Sequence, residues 1–103
     1  METQITHRHA KASPEIKELI EEKLAKLEKF HDKITSCHVI LDTEHPAGRI
    51  AEVVMSVQGQ TLTVKSKSDA FGKSIDEALE KIERRLKKLN EKIKDHKAPK
   101  PLE

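Results

Sequence analysis

A chain of 103 residues, 37% of them charged and 35% hydrophobic, is sized for one domain with a lean core. Basic and acidic side chains nearly balance overall, yet residues 1–60 sum to −2 and residues 61–103 to +4, and residues 81–97 alone hold eight basic against three acidic side chains. A single cysteine excludes an internal disulfide framework and suits a reducing, cytoplasmic setting. No apolar run approaches the roughly 20 residues that span a bilayer, and the opening Met-Glu-Thr-Gln-Ile-Thr has neither the basic start nor the apolar centre of a signal peptide.

The first element in chain order is a short alternating stretch around Ile5, which predicts a strand over Glu2–His9. Ser13-Pro14-Glu15 then opens a helix: Ser13 can cap an orphan N–H, Pro14 suits the first helical position, and Glu15 and Glu18 favour the positive end of the dipole. Ile16, Leu19, Ile20, Leu24, Leu27 and Phe30 follow at three- and four-residue steps and share one face, with the helix ending near Phe30 to Asp32. Three strands come next. Ile34–Glu44 places Cys37, Val39 and Leu41 in phase; His45-Pro46-Ala47-Gly48 is a turn signal; Ile50–Gln58 alternates through Ala51, Val53, Met55 and Val57. After Gln58-Gly59-Gln60, Thr61–Lys67 points Leu62 and Val64 inward. A long helix from about Asp69 to Lys97 carries an apolar stripe of Phe71, Ile75, Ala78, Leu79, Ile82, Leu86, Leu89 and Ile93. At about 1.5 Å per residue it reaches roughly 40 Å, so its last turns are expected to overhang the core.

The order β-α-β-β-β-α predicts an α+β fold, a two-layer sandwich in which a four-stranded sheet carries both helices on one face. The first two strands should be parallel neighbours and the remainder antiparallel. Residues 1–97 are expected to form one domain, and 98–103 a disordered tail after Pro99 and Pro101.

Charge on the long helix divides into two kinds. Glu77–Lys81, Glu80–Arg84 and Glu83–Lys87 are four-residue pairs of opposite sign, each worth about 0.2–0.5 kcal/mol as surface support. Lys81, Arg85, Lys88 and Lys92, at steps of four, three and four, instead form a like-charge row beside the apolar stripe. Such a row costs about what the favourable pairs contribute. A solvated face that keeps the chain soluble is one reading; cations at turn intervals matched to a run of phosphates is the other. With no Trp or Tyr and two Phe, stacking of bases on exposed aromatic rings can contribute little.

Catalytic and metal chemistry find little support. Cys37 and His38 are adjacent in a strand and face opposite ways, and Cys37 reads as a buried, inert thiol. His7 and His9 share a strand face but have no third ligand. The glycines at 48, 59 and 72 are isolated, so there is no phosphate-cradling loop. No enzyme, cofactor, metal or small-molecule substrate is expected.

Two segments carry a family resemblance. Ala25-Lys26-Leu27-Glu28-Lys29-Phe30, and Asp69-Ala70-Phe71 followed by Ile75-Asp76, Leu79 and Lys81-Ile82-Glu83-Arg84-Arg85-Leu86 with Lys88, resemble the ribosome hibernation promoting factor / ribosome-associated inhibitor family. The likeness spans about residues 3 to 96 and includes the element order. It implies a bacterial stress or stationary-phase factor with a fold akin to a double-stranded-RNA-binding domain. Such a factor binds the small ribosomal subunit in the channel of messenger and transfer RNA and so blocks translation. By this match Lys26 and Lys29 on the first helix, and Lys81, Arg84, Arg85, Lys87, Lys88 and Lys92 on the second, are the expected rRNA-binding residues. Phe71 stands where the family often has Tyr, and the chain ends soon after the second helix. That placement among short forms implies a separate small factor for pairing ribosomes into dimers. A rival reading takes the long helix as a protein-interaction or homodimer surface through Leu86, Leu89 and Ile93.

Overall fold

Ser13 adopts an extended backbone and its hydroxyl accepts the Ile16 N–H at 3.3 Å, while Pro14 occupies the first turn; together they start helix α1, Pro14–Phe30. The helix stops where the His31 N–H closes onto the Leu27 carbonyl at 2.8 Å. In this computed structural model, residues 1–9, 11, 13–44 and 48–97 are described, with the side chains of the last helix described through Leu89.

The strands are β1 (Glu2–Arg8), β2 (Ile34–Glu44), β3 (Gly48–Val57) and β4 (Gln60–Ser68), and the final helix is α2 (Phe71–Lys97). They form one sheet in the order β1-β2-β3-β4, with β1 parallel to β2 and the other neighbours antiparallel. The register aligns Ile5, Val39, Val53 and Val64 across all four strands, and Thr3, Cys37, Met55 and Leu62 in the next row. The alternation read from sequence thus becomes one apolar sheet face. Ile20, Leu24 and Leu27 from α1 and Ile75, Ala78, Leu79, Ile82, Leu86 and Leu89 from α2 join it in a single core cluster. Each fully buried aliphatic side chain contributes about 1.5–3 kcal/mol.

Several expectations shift in detail. α2 begins at Phe71, not Asp69, because Ser68 and Ala70 close a tight bend: the Ser68 hydroxyl accepts the Ala70 N–H at 3.3 Å, and the first helical bond runs from Ser74 N–H to Ala70 O at 3.1 Å. Leu86 and Leu89, offered by the sequence as a dimer seam, are buried in the protein's own core at 0% and 8% exposure. The third residue of that seam, Ile93, has its side chain outside the described residues. Phe30, placed by its spacing on the apolar face of α1, is instead 75% exposed. The strand expected to reach His9 ends at Arg8; His9 turns left-handed, with φ 53°, and its ring points to Asp42 rather than sharing a face with His7. The turn residues 45–47 and the tail 98–103 lie outside the described residues.

Between β3 and β4, Gln58 and Gly59 both have positive φ, 52° and 80°, the mirror-image turn whose twist suits a two-residue hairpin. The face of the sheet away from the helices is mixed: Thr6, Ile40, Glu52 and Lys65 form one row, and His38 shares a 2.7 Å hydrogen bond with the Thr6 hydroxyl.

Candidate nucleic-acid interface

The apolar stripe of α2 lies on β3 and β4, and this orientation gives each flank of the helix a different neighbour. At 100° per residue, Lys81, Arg85 and Lys88 fall on the flank toward the open edge of β4. Asp76 and Glu83 fall on the opposite flank, toward α1; Arg84 and Glu80 lie on the crown between. The same projection puts Glu77 beside Lys88 and Lys87 beside Asp76, so the flank over the sheet edge is mainly, not wholly, basic and the flank over the groove to α1 is mixed.

The edge strand explains part of the like-charge row. β4 has a neighbour only on its β3 side, so its outward carbonyls lack ladder partners. Lys81 Nζ donates to the carbonyl of Lys65 at 3.0 Å, and Arg85 Nη1 donates to the carbonyl of Thr63 at 2.7 Å. Two cations of the row thus cap an exposed strand edge. Both remain exposed and neither meets a carboxylate among the described residues, so their charge is not neutralised. The guanidinium keeps further N–H donors for a second partner.

Each remaining expected contact residue can be placed. Arg84 lies 3.6 Å from Glu80, the one of the three opposite-sign pairs that forms among the described residues. Lys81 turns away from Glu77 toward the β4 edge. Lys87 and Lys88 are exposed and have no ion pair with another described residue, and Lys26 and Lys29 on α1 are likewise exposed and unpaired. The side chain of Lys92 lies outside the described residues. The structure therefore brings Lys81, Arg85 and Lys88 together along one edge and sets Lys26 and Lys29 apart on the other helix. Lys23 is committed to Asp76 at 2.9 Å, tying α1 to α2, and Lys67 to Glu44 at 2.7 Å. The Lys67 hydrogen bond and charge hold the Glu44 carboxyl below its usual range. Lys65 takes part through its backbone carbonyl alone: its exposed side chain belongs to the row with Glu52 on the sheet face away from the helices.

Other reactive groups lie away from this edge. Cys37 is 1% exposed, and burial pushes its thiol up to about 12. Among the described residues no group of three His, Cys, Asp or Glu side chains could hold a metal ion, and no helix is long and apolar enough to cross a membrane. Phe71, in the position of the expected Tyr, packs against the core with the Arg49 guanidinium 5.6 Å from its ring centre.

Comparison with known proteins decides the family. The family model described as Sigma 54 modulation protein / S30EA ribosomal protein matches residues 3–94. The chain belongs to this family. A similar relative is the ribosome-associated factor Y of Haemophilus influenzae, 35% identical over 98 residues, which cover 95% of this chain and 91% of the relative. The ribosome hibernation promoting factor of Klebsiella oxytoca is 27% identical over 96 residues, covering 93% of this chain and 100% of that protein. Among solved structures, a ribosomal subunit interface protein from Coxiella burnetii superposes with a TM-score of 0.81 at 28% identity, covering 87% of this chain and 98% of that one. Membership in the family and the β-α-β-β-β-α fold, both anticipated from the sequence, agree with these findings.

Proposed function

We propose that the protein is a ribosome-associated hibernation factor that docks on rRNA of the small ribosomal subunit. There it fills the channel of messenger and transfer RNA and halts translation by occupancy, without catalysis, in the cytoplasm. The observation that carries this reading is the basic edge of α2. Lys81, Arg85 and Lys88 are exposed and form no ion pair with a carboxylate among the described residues. The printed names of the relatives, ribosome-associated factor Y and ribosome hibernation promoting factor, support the same partner.

A surface of this kind reads phosphates and shape rather than base sequence. Lys81 and Arg85, held against β4 carbonyls, present charge from fixed positions, so less side-chain freedom is lost on binding. Lys88 extends the track along the helix, with Lys92 continuing the spacing; Lys87 contributes from the opposite side of the crown, and Lys26 and Lys29 supply a second contact from α1. Arg84, shared with Glu80, contributes from the crown.

The decisive experiment is co-sedimentation of ribosomal subunits with the double variant Arg85→Glu/Lys88→Glu, its fold checked by circular dichroism. The wild type should travel with the small subunit in a sucrose gradient and depress translation in a cell-free extract in proportion to occupancy. The variant should lose both. If it pellets as the wild type does, the α2 edge is not the binding surface.

A further inference from the structure

The groove between α1 and α2 has a volume of about 430 Å³, and at its rim Phe30 is 75% exposed while the other large apolar side chains of α1 are at least half covered. Its floor is Leu27 and Leu79, Lys26 stands on the α1 wall, and Glu80 and Glu83 stand on the α2 wall. Lys26 precedes Phe30 by one helical turn, so ammonium and ring occupy the same flank. Neither the basic α2 edge nor the core uses this arrangement.

We propose that this groove receives one unpaired RNA base, stacked on the ring of Phe30 with its exocyclic amino edge toward Glu83; the inference rests on the rRNA-binding reading above. Each wall matches one part of a nucleotide. A phenyl ring offers its face to any base. A carboxylate accepts from the amino group of cytosine or adenine, and from the amino group and ring N–H of guanine. Lys26 at the rim meets the adjoining phosphate, whereas Glu83, which has no ion pair among the described residues while Asp76 and Glu80 are paired with Lys23 and Arg84, repels phosphate from the floor. A backbone is therefore excluded from the groove and a splayed-out base is admitted. A uracil, with no amino edge, fits less well. The acids on this side of α2, which oppose RNA as a polyanion, thereby acquire a use toward a single neutral ring.

The chain has no tryptophan or tyrosine, so Phe30→Trp keeps an aromatic face and adds a single emitter. Binding of purified small ribosomal subunits is to be measured for wild type, Phe30→Trp, Phe30→Leu and Phe30→Ala, with dimethyl sulfate and kethoxal probing of the bound rRNA. Phe30→Trp should bind within about twofold of wild type with its emission quenched. Phe30→Leu and Phe30→Ala should each lose roughly tenfold, the scale of one lost stack. One adenine or cytosine, read by dimethyl sulfate, or one guanine, read by kethoxal, should be protected by wild type and Phe30→Trp and become reactive with Phe30→Leu. Wild-type affinity in Phe30→Leu, a Trp variant as weak as the Ala variant, or the lack of any Phe30-dependent protection overturns the proposal. In the first case with Phe30→Ala still weak, the ring is meeting an apolar protein surface instead. These outcomes are independent of Arg85→Glu/Lys88→Glu, whose retention of binding would remove the rRNA reading itself.

Discussion

The guanidinium of Arg85 spans from α2 to the open side of the sheet, donating to the Thr63 carbonyl at 2.7 Å. One side chain thereby serves as edge cover and as part of a basic surface. Lys88, three residues on, has no such partner among the described residues. The two roles should separate by mutation. Arg85→Ala should cost about 0.5–1 kcal/mol of stability in urea titration, because a charge-assisted bond at an exposed site is lost. Lys88→Ala should stay within about 0.5 kcal/mol of wild type. Both should weaken ribosome binding.

Phosphate contacts make affinity fall with salt. A plot of log affinity against log salt should be linear, and Lys88→Ala should reduce its slope by about one unit. A slope unchanged by the substitution would mean that Lys88 does not meet phosphate.

Leu86 is fully buried, so Leu86→Ala should cost about 2–5 kcal/mol through lost contacts and an unfilled cavity. Thermal or urea unfolding measures the loss. Sedimentation of the folded variant should match wild type, since the side chain packs inside one copy rather than between two.

Cys37 gives a pH signature at the alkaline end. Its thiol stands at about 12 in the folded protein, against 9.0 when unperturbed. Above the unperturbed value the unfolded chain releases this proton while the folded chain keeps it, so unfolding is favoured as pH rises. The contribution is complete below about 9 and is lost between there and about 12, at up to about 1.4 kcal/mol per pH unit. Cys37→Ala should lack that slope, and alkylation of the wild type should proceed only on unfolding.

The hairpin turn offers a gain. Gln58 sits at φ 52° and Gly59 at 80°, so Gln58→Asn should stabilise by a few tenths of a kcal/mol and Gly59→Ala should destabilise by about 1 kcal/mol. Urea midpoints at constant slope distinguish the two.

Much of this fold is legible in the chain. Val39, Val53 and Val64 occupy alternate positions in their strands, and the register places them in one inward row. Ser13-Pro14 marks the start of α1 as observed. What spacing does not carry is what stands opposite a side chain. Phe30 keeps the three-residue step from Leu27 yet meets an open groove, because periodicity defines a face and not its cover. The pairing of Lys81 and Arg85 with β4 carbonyls was nevertheless within reach. Consecutive hairpins make β4 an edge strand, and an edge strand beside a cationic helix flank supplies acceptors before any phosphate arrives.

The sidedness of α2 bears on how the protein arrives as well as on how it holds. With a formal net charge of only +2, overall attraction to a polyanion is weak. The uneven division of signs across the helix width instead creates a lateral dipole, which exerts a torque in the field of a nucleic-acid surface. If the protein docks on rRNA as proposed, that torque turns its more cationic border toward the RNA before contact.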